Sequence, residues 1–324
     1  MIGRPARLAL ALCALFLGCK TASRDPEPSP PRPVPDARPI ESRVVSDSAW
    51  TALTTQLHFG PRVPGTDAHR RCGDWLVSEL QRFGARVEED TFSYSDTLGT
   101  TWPLRNILGH LGPSGNGRLL LVAHWDTRPW ADQDPDPARR NQPIPGASDG
   151  ASGVAVLLEV ARVLQGETLP RGVDILFADG EDLGRSGHPE GFCRGTRRFA
   201  EHSLAPYWRG VVLDLVGDAD LHLRVEQYSL VRAPEVVDWI WERGRALAPD
   251  VFSSEMNGAI FDDHMPLLDA GLPAADVIDL DYPAWHTVQD DLDHVSARSL
   301  QVVGDVVLDA LPEIQKRLAA TPAR

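Results

Sequence analysis

The chain has 324 residues, enough to bury a sizeable core as one large domain. Its 46 Asp and Glu outweigh 32 Lys and Arg, and the formal net charge of -14 argues against a nucleic-acid or anionic-membrane surface. Hydrophobic content is 42%, with 27 Gly and 27 Pro, the make-up of an ordinary globular domain.

Arg4 and Arg7 precede an apolar run, Leu8 to Leu17, that is too short to span a bilayer. Residues 1–18 read as a secretory signal peptide. The run ends in Leu15-Phe16-Leu17-Gly18-Cys19, which resembles a bacterial lipobox with Cys19 as the lipidated first residue of the mature protein. By resemblance to Gram-negative lipoproteins, Lys20 in place of Asp after Cys19 points to the outer membrane, facing the periplasm; with an ordinary signal peptide and an incidental Cys19 the protein would be periplasmic. Residues 19–40 are Pro-rich with almost no apolar side chains and read as a semi-extended tether behind the anchor. Residues 41–324 remain as a single catalytic domain. Cys72 and Cys193 lie within it; two cysteines could pair in an exported protein but do not make a framework.

A first helix is expected over Asp47–Leu57, capped by Ser46 or Asp47, and a second from Thr66 or Asp67 to Phe83, ended by Gly84. Val87–Tyr94 and Leu104–Leu111 read as a strand pair at a sheet edge. The central strands are Leu119–Ala123, an apolar run, then Val173–Ala178, Val211–Leu215 and Ala275–Leu280, which are largely apolar with acids set among them. Helices fall between them at Val154–Leu164, Arg197–His202, Pro234–Leu247 and His264–Ala270, and a last amphipathic helix covers Ser296–Leu318. Strands alternating with helices predict an α/β fold, a three-layer α/β/α sandwich around a mixed, mostly parallel sheet.

The chemistry-bearing residues sit where strands stop. His124 and Asp126 follow the first central strand, two apart and so on one side of an extended chain. Asp149 lies in Gly146-Ala147-Ser148-Asp149-Gly150-Ala151-Ser152-Gly153, just before a helix. Asp179-Gly180-Glu181-Asp182 closes the second strand. Asp214 interrupts the apolar Val211-Val212-Leu213-Asp214-Leu215, a costly place for an acid without a partner or a metal. Asp262-Asp263-His264 opens a short helix, where an acid could be no more than an N-cap. Trp285-His286-Thr287 follows the last strand. Strand C-termini form the ligand-binding rim of such sheets. Imidazole and carboxylate groups converging there suit zinc.

These residues, in this order, resemble the zinc-aminopeptidase-like superfamily. Gly60-Pro61-Arg62-Val63-Pro64, Ala123-His124-Trp125-Asp126-Thr127-Arg128-Pro129, Asp132-Gln133-Asp134-Pro135-Asp136 and Leu213-Asp214-Leu215-Val216-Gly217 are similar, more closely, to the animal-type glutaminyl cyclases and their bacterial relatives. The resemblance runs from about Val44 to Leu311. It implies one Zn2+ per chain on Asp149, Asp182 and His286, and Glu181 as general acid/base. Asp214 and Asp262 would form an acidic group beside Glu181, and Trp285, with Tyr282 near it, would wall the substrate pocket. It also implies N-terminal glutamine of a peptide or protein as substrate, with pyroglutamate and ammonia as products. Many relatives carry Glu-Glu where this chain has Glu181-Asp182, while bacterial cyclases resemble this chain in having Asp. The alternative is a two-zinc aminopeptidase of the same fold, with His124 and Asp214 on the second metal and Asp149 bridging.

Overall fold

The computed structural model describes residues 42–185, 187–204 and 207–320. The expected signal peptide, Cys19 and the expected tether lie outside the described residues. The strands are β1 (Arg86–Ser95), β2 (Thr101–Leu111), β3 (Arg118–His124), β4 (Val173–Ala178), β5 (Tyr207–Asp214), β6 (Leu223–Val225), β7 (Phe252–Met256) and β8 (Ala274–Ile278). The helices are α1 (Ser46–His58), α2 (Asp67–Arg82), α3 (Ala151–Leu164), α4 (Arg194–His202), α5 (Gln227–Arg232), α6 (Pro234–Leu247), α7 (His264–Asp269) and α8 (Ala297–Ala320).

Six strands make one sheet in the order β1-β2-β4-β3-β5-β8. β3, β4, β5 and β8 run parallel, while β2 runs against its neighbours β1 and β4. The expected edge pair and the mostly parallel centre are both present. Alternate residues of each central strand enter different layers, as a period of two requires. Leu119, Leu121 and Ala123 pack with α1, α2, α3, α6 and α8, whereas Leu120 and Val122 meet Phe199 of α4 and Leu267 of α7. With both faces covered, these strands have no solvent side, which is why they read as mainly apolar runs broken by single buried acids such as Asp174 and Asp276.

α3 is buried along nearly its whole length, so it is apolar on every side rather than striped. Its first turn lies against β5. A Cβ on Gly153 would sit 2.3 Å from the Leu213 carbonyl oxygen, so only glycine permits that approach. α2 starts as expected: the Thr66 hydroxyl accepts from the His69 N–H, and Gly84 takes φ +82° just past its end.

Three local expectations are corrected. α1 has Val45 at its N-cap and no side-chain cap, so neither Ser46 nor Asp47 serves; the Val45 N–H donates instead to Glu159 of α3. α4 begins at Arg194, one turn earlier than its apolar pattern suggested. The parallel pair β6–β7 and helix α5 were not anticipated, being too short for periodicity to register. Cys72 and Cys193 are both unpaired and buried. Among the described residues, no helix is long and apolar enough to cross a membrane.

Candidate active site

Because β3, β4, β5 and β8 are parallel, their C-terminal ends and the loops that follow share one rim. His124 ends β3, Glu181 and Asp182 lie just past β4, Asp214 ends β5, and the loop after β8 carries His286. All five side chains are buried, as is Asp149 before α3.

Asp149, Asp182 and His286 each place one ligand atom within 4.8 Å of the other two. His286 Nε2 is 3.3 Å from Asp182 Oδ1 and 3.6 Å from Asp149 Oδ2. Asp182 Oδ2 is buried without a hydrogen-bond partner among the described residues. An orphaned carboxylate oxygen beside a second carboxylate and an imidazole is what a zinc ion would satisfy, so these residues fit the metal. His286 adopts φ 56°, a conformation uncommon outside glycine and frequent at functional sites.

The loops carrying these groups are clamped from below. Asp126 accepts the N–H groups of Glu181 (3.2 Å) and Asp182 (3.3 Å). Asp290 does the same for Ser148 (2.7 Å) and Asp149 (3.2 Å), and takes the Tyr282 hydroxyl at 2.9 Å. The buried Arg62 donates to the carbonyls of Pro145 and Gly146 at 2.5 and 2.6 Å, which accounts for the arginine of the Gly-Pro-Arg motif. Arg128 grips both Asp132 carboxylate oxygens and reaches Asp182, while Asp132 Oδ1 lies 3.5 Å from His286 Nδ1. Burial alone would raise the Asp182 carboxyl, but the charges of His286 and Arg128 hold it well below the usual carboxylate range.

A second group adjoins the first. His124 Nε2 is 3.1 Å from both Asp149 Oδ1 and Asp214 Oδ1. Asp149 thus faces His286 with one oxygen and His124 with the other. Burial and the charges of Asp182 and Asp214 push its carboxyl well up, against the pull of His124. His124, Asp149 and Asp214 together form another candidate metal group.

Glu181 forms, with Cys193 and Asp262, a third set within 4.8 Å. Burial raises the Glu181 carboxyl well above normal, and the charges of Asp182 and Asp262 add to it. Burial and Asp214 push Asp262 up to about 6; burial and Asp262 push Asp263 to about 8. Asp263 occupies the N-cap position of α7 but caps nothing, and its carboxylate takes the Thr196 hydroxyl at 2.5 Å. Trp285 lies flat on His286, ring centroids 3.9 Å apart and planes at 25°. Tyr282 is buried beneath it, in a small apolar cluster with Leu215, Ile260, Ile278 and Ala284.

Every site residue read from the sequence therefore lies at this rim. Asp126, Arg128 and Arg62 stand in the motifs already quoted, but their clamping roles were not evident. Asp290, and Glu226 and Asp276 beside the buried His264, carried no sequence signal that marked them; His264 stood in the quoted Asp262-Asp263-His264, and the approach of Cys193 to Glu181 was not evident.

The family model described as peptidase family M28 matches residues 106–311. A glutaminyl cyclase of Porphyromonas gingivalis is 38% identical, covers 84% of this chain and 99% of its own, and superposes with a TM-score of 0.81. A Zn-dependent exopeptidase of Parabacteroides distasonis is 37% identical, covering 86% and 99%, with a TM-score of 0.79. The glutaminyl-peptide cyclotransferase of Drosophila melanogaster is 24% identical over 304 residues, 84% of this chain and 83% of its own. The chain belongs to peptidase family M28, and within it to the group that holds the bacterial glutaminyl cyclases.

Proposed function

We propose that the protein is a zinc-dependent glutaminyl-peptide cyclotransferase that closes the N-terminal glutamine of peptides or proteins to pyroglutamate and releases ammonia. The observation that carries this reading is Trp285 lying flat on His286, an aromatic wall suited to one flexible side chain beside a candidate zinc ligand. Asp149, Asp182 and His286 would hold a single zinc. That zinc, when bound, supplies Lewis-acid polarisation of the γ-amide carbonyl.

The remaining work falls to the chain itself. The reaction is intramolecular, so the pocket must fold the glutamine side chain back onto its own α-amine, and positioning supplies much of the rate. Trp285 walls that pocket, and Tyr282 supports it from beneath through Asp290. Glu181 accepts the proton that the attacking amine loses and delivers it to the departing amide nitrogen, which leaves as ammonia. Asp262, beside Glu181, and Asp214 complete the acidic group around this transfer. Incubation with a Gln-initiated peptide should yield ammonia and a blocked N-terminus; zinc-loaded protein that yields neither overturns the reading.

One observation favours a second reading. The group His124, Asp149 and Asp214 is complete, so a two-zinc aminopeptidase has every ligand it needs. That enzyme would bind about two zinc ions per chain and release free N-terminal amino acids, where the cyclase binds about one and releases none.

The leader and tether support export and a lipid on Cys19, with the catalytic domain held in the periplasm at the outer membrane. The membrane is then a partner only through that anchor.

A further inference from the structure

We propose that Cys193 is a positioning residue for the cyclisation: its thiol donates to the Glu181 carboxylate and aims it at the reacting amine. The inference rests on the base role of Glu181 given above. Cys193 Sγ lies 3.3 Å from Glu181 Oε1, and both groups are buried. Among the described residues, no other group donates to the Glu181 carboxylate. Without the thiol, a side chain with three rotatable bonds would stand unheld among like charges.

The backbone is built to present this thiol. Phe192 bridges Asp182 in antiparallel fashion, which brings the returning chain back alongside the loop after β4. The Cys193 N–H then donates to the Glu181 carbonyl and the Arg194 N–H to the Gly180 carbonyl, both at 3.0 Å. The Cys193 carbonyl accepts from the Arg197 N–H, tying the same residue to the first turn of α4. Cys193 makes this turn at φ 56°, where glycine is the unstrained choice. A side chain retained at such a position has a use that glycine could not serve.

The thiol stays protonated in this setting. Burial, with the neighbouring Glu181, Asp263 and Asp262, lifts its ionisation well above that of a free cysteine. Cys193 thus offers Glu181 a proton-bearing donor. A thiol is also a weak donor, so it fixes the carboxylate while drawing off little of its basicity.

The test uses the zinc-loaded full chain and a Gln-initiated peptide. C193A should lose about tenfold in kcat, the worth of one hydrogen bond to a charged group, with KM, zinc content and melting temperature close to wild type. C193S keeps a donor and should recover most of the loss. In the E181Q background, C193A should cost nothing further, because it acts through Glu181. Wild-type kcat in C193A overturns the proposal, as do equal losses in C193A and C193S or losses that multiply in the double variant. If C193A does not fold, C193G, which removes the thiol and suits the left-handed turn, decides by the same rule, alone and in the E181Q background. A slow E181Q with an unimpaired C193A removes only this proposal, whereas an E181Q enzyme at full turnover removes the base assignment and this proposal with it.

Discussion

Arg128 reaches Asp182 twice, with Nη1 2.9 Å from the carboxylate and 3.2 Å from the carbonyl oxygen of the same residue. Its other nitrogens hold Asp132, which faces His286. One buried guanidinium therefore sets two of the three candidate zinc ligands. R128A should weaken zinc binding by about 10–100-fold, the usual cost of removing a group that orients a ligand. R128K should recover little, since an ammonium cannot span both carboxylates. Zinc competition against a chromophoric chelator measures this. Unchanged affinity in folded R128A would rule out the clamp.

Glu181 and Asp182 are neighbours with opposite assignments, and substitution can separate them. E181Q is nearly isosteric but cannot take the amine proton. Turnover should fall by about 10²–10⁴ with zinc retained and KM little changed. D182N and H286A should instead lose zinc, and activity with it; a chelator should inactivate the wild type, and added zinc should restore it. An E181Q protein that loses its metal while D182N keeps it would reverse the two roles.

Acid sensitivity should trace in part to Glu226. Its burial opposes the charged form, yet His264 at 3.2 Å and the N–H groups of Tyr228, Ser229 and Ile260 outweigh that and hold the carboxyl down to about 2. A depressed carboxylate stabilises the fold fully above its unfolded pKa of about 4.3. That stability is lost as pH falls from there through the folded value near 2. E226Q lacks the charge and leaves buried donors unmatched, so at pH 7 it should be less stable by about 3 kcal/mol. Its denaturation midpoint should also change less than that of the wild type between pH 5 and pH 2. Equal stability at pH 7 would show that the network contributes nothing.

The anchor is tested by fractionation. C19S should move the protein from the membrane fraction to the soluble periplasmic fraction with activity unchanged, because the described fold starts well beyond Cys19. Recovery of the wild-type protein soluble and without an acyl chain would dispose of the lipobox reading.

What the sequence determined by itself was the sheet and its rim. Short apolar runs at regular intervals specify buried parallel strands, and a polar residue that ends or interrupts such a run stands out because burying it is costly. His124 and Asp214 were legible for that reason, and the roles of Asp149, Glu181, Asp182 and His286 through the motifs they share with the glutaminyl cyclases. Tertiary structure decided how those groups are held and where each one faces. Asp290 grips a backbone 142 residues away, Cys193 reaches Glu181 only because the chain turns back at a left-handed residue, and Glu226 meets His264 across the interior. None of these pairings leaves a local pattern, since hydrogen bonds between distant segments depend on packing and not on residue spacing. The short pair β6–β7 escaped notice on the same ground: strands this brief are set by their neighbours rather than by a period of their own.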